Sequence, residues 1–218
     1  MKKPHLFLVI ALCLGLSGCI DIFQYITKDT DGVDKNTIKV TISKVLLALA
    51  DSFSDSTGSV DYEELFDELF ADSELKALDV HNYTQYGAAV KRVNDAVDVG
   101  FMIEMNLDYR DRDTVNKINR DDTSFIPKYN GKNITLHIDC IGDGASVEEN
   151  EMASAFLSAG KYRLMISKKC IAAVDKVTLK TPRGETEISC LELYDGYLVE
   201  VPISLIFISD VDVVIYSK

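Results

Sequence analysis

The 218-residue chain predicts an α+β fold, a mostly antiparallel β-sheet or sandwich with a few amphipathic helices packed on one face or end. Three observations carry this. Apolar residues alternate strictly over Phe101–Tyr109 and Asn133–Cys140. The last sixty residues break into short alternating runs punctuated by tight-turn dipeptides. Between the first strand signal and residue 100, the apolar spacing changes to a helical period.

In chain order, Ile38, Val40 and Ile42 alternate with Lys39 and Thr41, which suits a short strand because β-branched residues crowd a helix. From Val45, the spacing Val45, Leu46, Leu49, Phe53 predicts a helix. Tyr62, Leu65, Phe66, Leu69 and Phe70 predict a second, whose other side carries Glu63, Glu64, Asp67 and Glu68. Tyr86, Val90, Val93 and Val97 predict a third. Phe101, Ile103, Met105, Leu107 and Tyr109 then form the clearest strand signal, followed by a charged loop from Arg110 to Asp122. Asn130-Gly131 is a hairpin turn signal between extended segments. In the strand after it, Ile134, Leu136, Ile138 and Cys140 share one face, and Thr135, His137 and Asp139 share the other. Ser146 and Glu149 form a capping box ahead of a helix that ends near Gly160. Strands are expected at Tyr162–Ile166, Val177–Leu179, Ile188–Cys190, Tyr197–Val201, Ile203–Phe207 and Val211–Ile215, with turns at Pro182-Arg183-Gly184 and Asp195-Gly196.

The charge balance bounds the partners. Lys and Arg total 23 against 35 Asp and Glu, a formal net charge of -12. Nucleic acid needs clustered cations, and anionic lipid needs a basic face, so neither is attracted by charge. With 47% hydrophobic residues the composition is that of a globular protein, neither low-complexity nor disordered.

The N-terminus holds the most specific motif. Lys2 and Lys3 precede an apolar run from Leu6 to Leu16, then Ser17, Gly18 and Cys19. That run is about 11 residues, whereas crossing a bilayer takes about 20, so the segment predicts an export signal and not a membrane span. Leu16-Ser17-Gly18-Cys19 resembles the lipobox of bacterial lipoproteins. Cys13 does not compete, because bulky Leu12 precedes it. The resemblance implies cleavage between Gly18 and Cys19, a diacylglyceryl group on the Cys19 thiol, and acylation (commonly palmitate) of the new amine. It covers only the signal. It implies a protein held to a bacterial cell membrane outside the cytoplasm. In Gram-negative sorting Asp directly after the Cys is penalised; Ile20 stands there, which points to the outer membrane. Two or more acyl chains hold a protein firmly in its leaflet, each buried CH₂ contributing about 0.8 kcal/mol. The domain plan is then residues 1–18 as signal peptide, 19–36 as lipidated N-terminus and short tether, and 37–218 as a single globular domain. The polar part of that tether reaches at most ~35 Å.

Cys140, Cys170 and Cys190 remain, an odd number that allows one disulfide at most. His137 and Cys140 project from opposite sides of one strand and cannot share a metal ion. His81 is the other histidine of the mature chain, and no nucleophile elbow or HExxH pair occurs. The segment Phe53–Glu64 looks like a degenerate EF-hand calcium loop: Asp55, Thr57 and Asp61 at oxygen-donor positions, Gly58 at the sharp turn, Glu64 where the bidentate ligand belongs. Phe53 replaces the leading carboxylate, and the same letters equally make a turn followed by the capping box Asp61-x-x-Glu64. No cofactor other than calcium is suggested. The sequence therefore points to a non-enzymatic, lipid-anchored envelope protein that binds an envelope protein or ligand through its sheet-rich domain. The alternatives are an envelope hydrolase using loop carboxylates and a calcium-responsive binding module.

Overall fold

Ile22, Gln24 and Ile26 are buried along one side of strand β1 (Ile20–Lys28), while Phe23 and Tyr25 lie on the other and are half-buried. This period of two is how an extended chain presents a core face. The computed structural model describes residues 20–45, 48, 83–121, 123–141 and 160–218. After β1 come β2 (Asp34–Ser43), β3 (Ala89–Asn94), β4 (Asp98–Leu107), helix α1 (Arg112–Arg120), β5 (Pro127–Asn130) and β6 (Asn133–Ile138). They are followed by β7 (Lys161–Ser167), β8 (Val174–Thr181), β9 (Gly184–Ile188), β10 (Cys190–Glu192), β11 (Gly196–Pro202), helix α2 (Ile203–Ile208) and β12 (Val211–Ser217).

Two sheets form. A seven-stranded sheet has the order β10-β11-β7-β1-β2-β4-β3, and a five-stranded sheet has β5-β6-β12-β8-β9. Every pairing is antiparallel except β1 with β7, where Asp21 faces Lys161 and Ile26 faces Ile166. Inward residues of both sheets, Ile22, Ile38, Ile103 and Leu164 from one and Ile134, Leu136, Val213 and Val177 from the other, join one hydrophobic core. The described structure is mostly β, with two short helices, where an α+β fold was expected. The helices predicted beyond Val45, over residues 62–70 and over 146–160 lie outside the described residues.

Four local expectations are corrected. Residues 20–36 are no tether: Ile20–Lys28 is a central strand and Asp29–Gly32 is the turn into β2, with Gly32 at φ 81°. Its apolar residues at period two, interrupted by a polar Gln24, are a core face whose single amide is satisfied internally. The expected helix through Val90, Val93 and Val97 is instead edge strand β3 and the turn after it. β3 buries little, so pairing with β4 decides its conformation, and its apolar spacing carries no signal. The charged loop contains α1. Asp111 caps it by accepting from the Thr114 backbone N–H at 3.0 Å, and Ile118 alone is buried, too little to show as an apolar stripe. Ile203–Phe207, expected as a strand, is helix α2; its buried residues, Ile203 and Ile206, are three apart, a helical spacing masked because nearly every residue there is apolar.

One backbone conformation organises the interior. Phe125 is fully buried with φ 62°, a left-handed conformation unusual for a bulky residue. Its ring packs edge-on against Tyr162 at 5.6 Å. Its carbonyl, turned inward, accepts from the amides of Gln24 (2.7 Å) and Asn36 (2.9 Å). Gln24 also donates to Asn36 Oδ1 (2.7 Å) and accepts from the Tyr162 hydroxyl (2.6 Å). These buried amides satisfy each other and fix the relative register of β1 and β2 around the 124–127 segment. Asp34, 1% exposed, is paired with Lys28 and accepts from the Tyr129 hydroxyl.

Candidate functional site

Strand β6 turns His137 and Asp139 away from the core, as their alternation predicts. The antiparallel register of β12 sets Asp212 directly opposite His137. The imidazole is held on both sides, Nδ1 at 2.7 Å from Asp212 Oδ1 and Nε2 at 3.1 Å from Asp139 Oδ1. Partial burial works against charging this ring, but the hydrogen bonds to Asp212 and Asp139 outweigh it, and its pKa is raised above 6.5. Behind it, the Ser124 hydroxyl donates to Asp139 Oδ2 (2.7 Å) and accepts from the Asp139 N–H (2.9 Å). Ser124 therefore links the surface cluster to the strained Phe125 beside it. A shallow cavity of about 270 Å³ adjoins the cluster, lined by His137, Lys180, Thr181, Pro182, Asp210 and Asp212.

The chemistry open to this arrangement is limited. Both ring nitrogens face carboxylates, and the Ser124 hydroxyl is directed at Asp139 and not at the imidazole. A general base activating a nucleophile needs a nitrogen aimed at that nucleophile. The contact of His137 with Asp212 clamps β6 to β12 across their antiparallel pairing. Sequence alternation reveals His137 and Asp139; Asp212 enters only through strand pairing.

A larger groove of about 660 Å³ lies along the outer side of β11, between the start of β7 and the segment Glu187–Leu191 that runs from the end of β9 into β10. Leu191, Leu198, Ile188 and Pro202 supply apolar lining. Beside it, Lys161 and Arg163 of β7 pair with Glu200 of β11 at 2.6 and 3.2 Å, and Arg163 reaches Asp21 of β1 at 2.6 Å. Burial raises the Asp21 pKa, against the lowering effect of Arg163. This ladder crosses three strands beside the point where β1 begins.

The other sequence candidates fare differently. Gly18 and Cys19, the calcium candidates Asp55, Thr57, Asp61 and Glu64, and His81 lie outside the described residues. Cys140, Cys170 and Cys190 form no disulfide and are half-buried. Cys140 Sγ donates to the Phe207 carbonyl at 3.2 Å. Burial pushes the Cys170 thiol up to about 11, which suppresses the reactive thiolate. Among the described residues, no group of three or more His, Cys, Asp or Glu could hold a metal ion. Asp108 is neutralised by Arg110, which lowers its pKa to about 2, and Asp111 is the α1 cap, so these loop carboxylates have structural partners.

Fold and site together define a β-rich, two-sheet domain with an acidic cluster around one histidine. No protein family matches the chain, and no curated protein matches it. Among solved structures, the folded domain of the Mycobacterium tuberculosis protein LppM, determined by NMR, is similar at a TM-score of 0.40 and 13% identity. The likeness covers 92% of this chain and 91% of that one, and is too remote to bear on function.

Proposed function

We propose that the protein is a lipid-anchored extracytoplasmic envelope component, attached through Cys19, whose β-rich domain serves binding or structural contact and not catalysis. The carrying observation is the lipobox Leu16-Ser17-Gly18-Cys19 behind a dibasic start and a short apolar run. Loss of the signal removes two of the 23 basic residues and leaves all 35 acidic ones, so the mature domain is more acidic still. Such a domain is repelled by anionic headgroups and depends on its acyl chains to stay at the surface. The buried amides of Gln24 and Asn36, with the Tyr162 hydroxyl and the Phe125 carbonyl, support a scaffold role, since these groups are engaged in holding segments of the fold together. Cleavage before Cys19 followed by Ile20 favours the outer membrane as the address in a Gram-negative host.

Intact-mass spectrometry of the native protein, with metabolic labelling by an alkyne fatty acid, tests the anchor. The expected mass is that of residues 19–218 plus two or three acyl groups. A bare thiol on Cys19, or an uncut leader, overturns the anchor. Turnover of a cell-wall substrate by the purified domain overturns the non-catalytic role.

A further inference from the structure

We propose that the rim of the sandwich where β1 begins, which among the described residues carries Val45 and Val97, is seated in the headgroup layer of the bilayer, with the opposite rim facing outward. This rests on acylation of Cys19. Ile20 is already in the sheet, paired with Ile42 and packed against the core. A Cβ placed on Gly160 would lie 3.2 Å from the Ile20 carbonyl and 3.1 Å from Ile203, so the chain exit is tightly enclosed. Cys19 is one peptide unit away, a Cα separation of about 3.8 Å. The interfacial layer on each side of the hydrocarbon is only roughly 5–8 Å deep. An acylated Cys19 therefore brings the start of β1 and the strand ends paired beside it to the bilayer, because no slack chain separates Cys19 from Ile20.

The strand directions say what lies on that rim. β2 ends there at Ser43, opposite Asp98, and the β3–β4 turn lies beside it. The Lys44 N–H donates to the Val97 carbonyl at 2.8 Å and ties the two together. Asp95 fixes the turn, accepting from the N–H groups of Val97 and Asp98 at 2.8 Å each. That rigid turn holds Val97 out, 60% exposed, next to Val45 at 59%. These two valines add apolar side chains to the rim that the anchor places at the bilayer. The rim carries Asp21, Asp95 and Asp98 beside Lys44 and Lys161, so it is no basic face and its seating does not depend on anionic lipid. The opposite rim is about 27 Å away along β1, and carries the turn with Tyr194, 99% exposed.

The chain contains no tryptophan, so a single one reports its own surroundings. Full-length acylated Val97→Trp and Tyr194→Trp proteins are placed in phosphatidylcholine vesicles containing lipid with a doxyl quencher high on the acyl chain. The Val97→Trp protein is expected to be quenched several-fold more than the Tyr194→Trp protein and to emit at shorter wavelength. Val45→Trp repeats the measurement should Val97→Trp fail to fold. Equal quenching at the two rims, or stronger quenching at Tyr194→Trp, on protein whose mass confirms acylation, overturns the orientation alone. A mass showing bare Cys19 overturns the anchor and the orientation together.

Discussion

The inner face of the seven-stranded sheet and the outer face of the five-stranded sheet both gather polar side chains, on opposite terms. Inside, Gln24, Asn36 and the Phe125 carbonyl are fully buried and neutral, and their geometry admits one arrangement. Outside, His137 lies half-buried between the partly exposed carboxylates of Asp139 and Asp212, whose hydrogen bonds favour its protonated form. Removing a buried amide strands its partners without water, whereas removing a surface charge lets water replace it. The first cluster specifies the fold, and the second adjusts its stability to pH.

That contrast can be broken first at Phe125. Phe125→Ala should cost about 3–5 kcal/mol by chemical denaturation, since a fully buried ring is lost. Phe125→Gly should be less damaging than Ala by about 1 kcal/mol, because only glycine escapes the left-handed penalty at φ 62°. If the Gly variant is the less stable one, backbone strain is not what Phe125 contributes. Next, Gln24→Ala should cost about 2–3 kcal/mol by leaving the Tyr162 hydroxyl and Asn36 Oδ1 unpaired.

At the outer cluster the effects shrink. His137 titrates above its ordinary value of 6.5 in the folded protein, so folding favours its protonated form. The resulting stability is fully present below that value and is lost as pH rises through the higher native one. Solvent exposure keeps it below about 1 kcal/mol. Thermal melts across that window should slope downward with pH for the native protein and flatten for His137→Gln; an unchanged slope removes the clamp. Smallest of all, Lys161→Ala on the outer ladder should cost about 0.5 kcal/mol or less, and less again at high salt.

Much of the sheet was legible in the residues because half-buried strands write their period directly. β4, β6, β7 and β11 coincide with an alternating core face, β12 does so apart from the extra buried Val214, and Asn130-Gly131 turns β5 into β6 with Gly131 at φ 63°. The misreadings occur where burial does not follow a period. α1 buries one residue and β3 almost none, while α2 and the first strand are apolar on more than one side. The outer cluster was half legible: His137 and Asp139 share a face two residues apart, but Asp212 arrives from 75 positions away, through a pairing no local pattern encodes. Phe125 gave no signal at all, since its conformation is imposed by partners distant in sequence.

The parallel pairing of β1 with β7 has a consequence for how the chain reaches its native state. The first strand synthesised sits mid-sheet, yet the neighbour on one of its edges is supplied by residues such as Tyr162, 138 positions after Gln24. Contacts of such long range are slow to form. Until nearly three-quarters of the polypeptide is available, that edge of β1 lacks its native partner and is open to pairing with any other extended segment.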